Sequence, residues 1–119
     1  MAKNKFRIPE NVLSEIRARD KACVYCRKTM IYPYLSKNSA DCATIEHLNF
    51  DGPFYWSDGL QAHDIVICCA TCNSSRGAKK LTDWFKTQYC IDRNISADTV
   101  AAPVRSYLQR QNGYLSEKS

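Results

Sequence analysis

Two Cys-x-x-Cys pairs, Cys23-Val24-Tyr25-Cys26 and Cys69-Ala70-Thr71-Cys72, constrain this chain more than any other feature. Two thiolates separated by two residues can turn toward one ion, and four of them make the tetrahedral set that Zn²⁺ prefers. Cys23, Cys26, Cys69 and Cys72 are therefore expected to hold a structural zinc. The pairs stand much farther apart than in an ordinary zinc ribbon, so the fold has to close a long insert between two knuckles. Buried small hydrophobes and a redox dithiol are the other readings of these residues; the second, distant pair weighs against both. Cys68 adjoins the second pair and can replace Cys69 as a ligand. Strand alternation sends the two to opposite sides, and the two-residue spacing favours Cys69. Cys42 and Cys90 stand singly and read as structural or unligated thiols.

The cysteine count is seven, an odd number. A secreted disulfide scaffold usually carries an even count behind a signal peptide. Met1 to Arg7 is instead charged, and no apolar stretch is long enough for a signal segment or a membrane span. The expectation is a soluble, cytoplasmic protein with reduced thiols available to metal and no membrane partner. A length of 119 residues suits one domain, with a core small enough for a metal staple to matter. Apolar residues at 45% and charged residues at 24% exclude wholesale disorder. Lys and Arg number 17 against 12 Asp and Glu, a net charge of +5. That balance favours a polyanionic partner such as nucleic acid.

Along the chain, residues 1–8 read as a short basic tail. Pro9 fits the first position of a helix whose Val12, Leu13 and Ile16 share a face. Residues 27–42, with Pro33, Asn38 and Ser39, read as irregular. Residues 44–48 read as a strand, 49–62 as a long loop carrying Gly52, Pro53 and Gly59, and 65–68 as a buried β-branched strand. Thr82 is expected to cap a helix on which Phe85 and Tyr89 lie four apart. Ser96 is expected to cap a last helix, in which Pro103 either causes a kink or begins a new helix carrying Val104, Tyr107 and Leu108. The fold class is α+β.

The insert closes on Glu46-His47, a loop, Asp64-Ile65-Val66-Ile67, then Cys69-x-x-Cys72-Asn73 and Arg76-Gly77. With Arg17-Ala18-Arg19-Asp20 leading into the first knuckle, this order resembles the HNH (ββα-metal) endonucleases, in the branch with a four-cysteine zinc site. The resemblance spans residues 9–87. It implies a β-hairpin packed on a helix around a catalytic divalent ion, in an endonuclease domain over 9–95 with 96–119 as a helical extension of it. By that resemblance His47 is the general base, a role suited to imidazole because its pKa lies near operating pH. Glu46, where Asp is more frequent, and Asn73 would ligate Mg²⁺ or Mn²⁺ through hard oxygens. Asp64 stands at the middle position, usually Asn, and would orient His47 by accepting from its ring N–H. Glu46 and His47 are adjacent, so a regular strand would point them to opposite faces unless it is bent there.

Arg76, Lys79 and Lys80, on or after the motif helix, are candidate phosphate contacts; Lys86, Arg17 and Arg19 are similar, and a plain solvated basic face is the competing reading. Tyr25, Tyr32, Tyr34, Phe54, Tyr55 and Trp56 can stack on bases, with core packing the favoured alternative; Trp84 and Phe85 read as core and His63 as a surface residue. The expected function is metal-dependent hydrolysis of DNA phosphodiester bonds. The alternatives are a non-catalytic zinc module that binds nucleic acid or protein, and an RNA-cleaving nuclease. One metal site per chain implies one strand cut per site, so a double-strand cut would call for a homodimer or two encounters.

Overall fold

Helix α1, Glu10–Arg19, takes Pro9 as its N-cap rather than as its first helical residue, at φ −59° and ψ 142°. It buries Leu13 and Ile16 and packs on the second strand. The computed structural model describes Asn4, residues 6–31 and residues 40–118. Half of the basic tail (residues 1–3 and 5) and Tyr32, Pro33, Tyr34, Asn38 and Ser39 lie outside the described residues. Where the tail is described, the expectation is corrected. Phe6 and Ile8 are buried in the core, and Asn4 bonds both the N–H and the carbonyl of Ile8 through its side chain. Two apolar side chains spaced by one residue outweigh the basic residues around them, because burying each stabilises by about 1.5–3 kcal/mol.

Strands β1, Ala43–His47, and β2, Ile65–Cys69, form a two-stranded antiparallel sheet. The register runs from Ala43 opposite Cys69 to His47 opposite Ile65. All five residues of β2 are buried, as its β-branched run predicts for a strand covered on both faces. The outer edge of β2 is also occupied. Asp20, past the end of α1, accepts from the Ile67 N–H at 3.1 Å, and Val24 of the first knuckle donates to the Ile67 carbonyl at 3.3 Å. Asp20 is held in turn by a forked pair of bonds from Arg19, each 2.7 Å. Sheet, first helix and first knuckle are thus tied to one strand.

Helix α2, Ala70–Arg76, follows β2 directly, with Cys69 as its N-cap, and contacts both strands. It stops at Gly77, whose φ of +53° favours a residue without Cβ. The single helix expected after Thr82 is two short ones, α3 (Leu81–Trp84) and α4 (Gln88–Arg93). Thr82 caps neither. Lys80 precedes α3, and Thr87 caps α4 by accepting from the Cys90 N–H. The break lets Trp84 turn fully inward, onto the Tyr25 ring at 4.9 Å. Ser96 likewise forms a turn instead of a cap, its Oγ accepting from the Asp98 N–H. Helix α5, Ala102–Lys118, begins afresh with Pro103 in its first turn, where the missing N–H is not needed. Its Val104, Tyr107 and Leu108 are buried. The described residues form a small α+β fold of two strands and five α-helices.

Candidate functional site

The two knuckles meet. The Sγ atoms of Cys23, Cys26, Cys69 and Cys72 lie within 4.8 Å of one another, with Cys26 and Cys69 at 3.9 Å. Cys69 is brought there by the end of β2 and Cys72 by the first turn of α2. Cys68, one residue earlier, is sent to the opposite side of β2, where its Sγ lies 3.7 Å from Thr44 Oγ1. The cluster therefore takes Cys69, as the spacing favoured. Four sulfurs this close cannot all ionise without a cation among them. Hydrogen bonding from Cys23 and Cys72 draws the Cys69 thiol down to about 3, while its hydrogen bonds to Cys23 and Cys69, and burial, push the Cys72 thiol up. Such a set can hold a metal ion such as zinc. Backbone N–H groups of Tyr25 and Cys26 point at Cys23 Sγ at 3.4 and 3.5 Å, and the Tyr89 hydroxyl lies 3.3 Å from Cys72 Sγ. Tyr89 was legible in the sequence only as a helix-face aromatic.

On the other side of the hairpin, Glu46, His47 and Asn73 line one pocket of about 880 Å³. His47 is the last residue of β1, where the strand gives way to the loop, and both it and its neighbour Glu46 contribute to the pocket lining. The His47 ring is fixed on three sides. Its Nδ1 lies 3.1 Å from the Asn49 carbonyl; a carbonyl only accepts, so Nδ1 carries the proton and Nε2 is left for chemistry. Phe54 stacks on the ring at 4.6 Å and Phe6 meets it edge-on at 5.4 Å. This corrects the role expected of Asp64. Its carboxylate does not take the ring N–H; it pairs with Arg110 of α5 at 3.1 Å, and its backbone carbonyl accepts from the Leu48 N–H at 2.7 Å. Asp64 holds the loop, and Asn49 orients the histidine. Nothing in the sequence singled out Asn49, because its contribution is a backbone carbonyl that any residue carries.

Glu46 is buried and takes both of its hydrogen bonds at Oε2, from the Tyr25 hydroxyl and from Arg76 Nη1, each at 2.8 Å. Burial pushes its carboxyl pKa up, against the opposing pull of the Arg76 guanidinium and the Tyr25 hydroxyl. Burial also raises the Tyr25 phenol well above its ordinary value, which keeps it a donor. Asn73 donates its amide to Thr44 Oγ1 and the Ile45 carbonyl at 2.9 and 3.2 Å. Among the described residues, Glu46 Oε1, Asn73 Oδ1 and His47 Nε2 make no hydrogen bond.

Arg76 is the second correction. Expected as a phosphate contact, it is 2% exposed. It donates to Glu46 Oε2 and to the carbonyls of His47, Leu48 and Lys79, at 2.8 to 3.0 Å. A guanidinium can satisfy several acceptors at once through its rigid fork, and here that fork knits the end of β1, the loop and the end of α2. Lys79 and Lys80 are exposed; Lys80 Nζ sits 5.2 Å over the Phe50 ring. Arg17 joins the pocket lining. Among the described residues no helix is long and apolar enough to cross a membrane. No family model, curated protein or solved structure matches the chain.

Proposed function

We propose that this chain is a metal-dependent DNA endonuclease of the HNH (ββα-metal) type. In this reading Cys23, Cys26, Cys69 and Cys72 hold a structural zinc, and Glu46 and Asn73 hold a catalytic Mg²⁺ or Mn²⁺. The observation that carries the reading is the convergence of His47, Glu46 and Asn73 on one pocket, each with one polar atom not spent on the protein's own hydrogen bonds. The donor set fits: a carboxylate oxygen and an amide oxygen are the hard ligands such ions take. When bound, the ion would stabilise charge on the phosphate and the leaving oxygen. His47 Nε2 would remove the proton of the attacking water while the Asn49 carbonyl holds the ring in the required tautomer. Arg17, Lys79 and Lys80 would contact the DNA backbone. With one such site per chain, a double-strand cut would need two copies acting together.

The commitment of Glu46 Oε2 to Arg76 and Tyr25 favours one competing reading, a zinc module that binds without cutting. The two are separated by incubating supercoiled plasmid with wild type and His47→Ala, with and without Mg²⁺ or Mn²⁺. Wild type is expected to nick or cut only with the metal. His47→Ala, which keeps the four cysteines, is expected to be slower by about 10²–10⁴-fold at unchanged zinc content. A folded, zinc-loaded wild type that leaves DNA intact with every ion would abolish the DNA endonuclease reading.

The zinc assignment has its own check at Tyr89. Removing the hydroxyl that faces Cys72 takes away a hydrogen bond to a ligand sulfur, and outer partners of this kind are worth about tenfold or more in metal affinity. Tyr89→Phe is expected to surrender zinc to a chromogenic chelator about tenfold more readily, with an unchanged circular dichroism spectrum. Unaltered zinc competition would remove Tyr89 from the site.

A further inference from the structure

Among the described residues the exposed large hydrophobics are Ile31, Phe50, Phe54, Tyr55 and Ile91, and all three aromatics of that set fall within residues 50–55. Core packing was the favoured expectation for Phe54 and Tyr55, yet they are 38% and 45% exposed and line the same pocket as His47. They do not sit on a slack loop. Asn49 Nδ2 donates to the Pro53 carbonyl at 2.6 Å, the Trp56 N–H to the Phe6 carbonyl at 2.8 Å and the Leu60 N–H to the Tyr55 carbonyl at 3.1 Å. Phe54 is further held by stacking on His47. Rings exposed but fixed in place lose little entropy when a planar ligand covers them.

We infer that Phe54 and Tyr55 stack on unpaired bases of the DNA strand at the pocket, so that the preferred substrate is single-stranded or locally unpaired DNA. This deepens the endonuclease reading and rests on it for the cut, but not for the binding. In a duplex each base is already covered by its neighbours, and an aromatic ring gains a base face only where the stack is open. The surroundings suit a polyanionic strand: Arg17 belongs to the lining, and the chain carries a net +5.

The test is fluorescence anisotropy of a labelled oligonucleotide, without added Mg²⁺ or Mn²⁺, as single-stranded DNA, as the matching duplex and as single-stranded RNA. Wild type is expected to bind the single strand about tenfold or more tightly than the duplex. Phe54→Leu and Tyr55→Leu are each expected to weaken single-strand binding by about tenfold without changing the slope of affinity against salt, since neither removes a phosphate contact. Tyr55→Phe keeps the ring and should bind as wild type does. Zinc content and circular dichroism verify that the leucine variants fold. Equal or tighter duplex binding, leucine variants that bind like wild type, or a tighter complex with RNA would each overturn the inference. Single-strand binding lost in the leucine variants, in a protein that cuts nothing with Mg²⁺ or Mn²⁺, would uphold it while removing the endonuclease reading.

Discussion

Cys69→Ser is expected to abolish zinc loading and to leave the chain unfolded at room temperature, whereas its neighbour Cys68→Ser is expected to stay folded with a full complement of zinc. The register places Cys69 opposite Ala43 and Cys68 opposite Thr44, so their side chains leave β2 on opposite sides. Cys69 Sγ belongs to the cluster, 3.9 Å from that of Cys26. The cluster joins the turn after α1 to the β2–α2 junction, segments more than forty residues apart in the chain. Binding of a structural zinc contributes about 10–16 kcal/mol in small domains, against a net stability of about 5–15 kcal/mol for a typical fold. Loss of a ligand therefore removes an amount comparable to the whole. Serine at position 68 trades a buried thiol for a hydroxyl beside Thr44 Oγ1, which can partner it; the cost is about 1–3 kcal/mol. Native mass spectrometry for bound zinc, with a thermal melt for each variant, separates the two. Zinc retained in Cys69→Ser, or lost in Cys68→Ser, would show that the ligand set is misassigned.

The second large effect is expected at Arg76. Arg76→Met preserves the aliphatic stem and removes the guanidinium, leaving Glu46 Oε2 with Tyr25 alone and depriving the carbonyls of His47, Leu48 and Lys79 of this donor. Breaking a buried ion pair from one side costs about 3–5 kcal/mol, because the other charge stays behind uncompensated. In a chain of this length that is a fall in Tm on the order of 10–20 °C. The double variant Arg76→Met, Glu46→Gln should recover part of the loss, since an amide can still accept from Tyr25 without leaving a buried charge. Denaturant melts of the two single variants and the double give the coupling directly. A change below about 1 kcal/mol for Arg76→Met would mean that the side chain is solvated, as a phosphate-contacting arginine would be. Lys80→Met, on the exposed side of the same turn, serves as the control and should leave the melt unchanged.

The two predictions mark how far the sequence could be read. The four clustered cysteines were legible because each pair is local: two residues between thiols determine that both can reach one ion, and strand alternation distinguishes Cys69 from Cys68. The strands were legible for the same reason, since Ile65-Val66-Ile67 declares a covered strand without reference to its partner. Arg76 was misread because a basic residue near a motif looks alike whether it faces water or a buried carboxylate. Its partner, Glu46, lies on a distant strand, and only the register of the hairpin and the packing of α2 across it bring the two together. Phe6 was misread as tail because its partners, His47 and Trp56, are equally remote in sequence. Thr82 and Ser96 were chosen as caps by residue type, but the chain turned at Thr87 and Ala102 instead, where Trp84 and Val104 could be buried.

Local chemistry in the sequence thus determined the four thiols and the order of strand, loop, strand and helix, while the three polar residues that come to share a pocket were reached only through a resemblance. The tertiary structure decided the rest: that Arg76 points inward, that the carbonyl of Asn49 and not the carboxylate of Asp64 accepts the histidine Nδ1–H, and that Phe54 and Tyr55 stand exposed. Those outcomes depend on contacts between segments far apart in the chain, where the free energy is set by which side chains can be buried together and not by the type of any single residue.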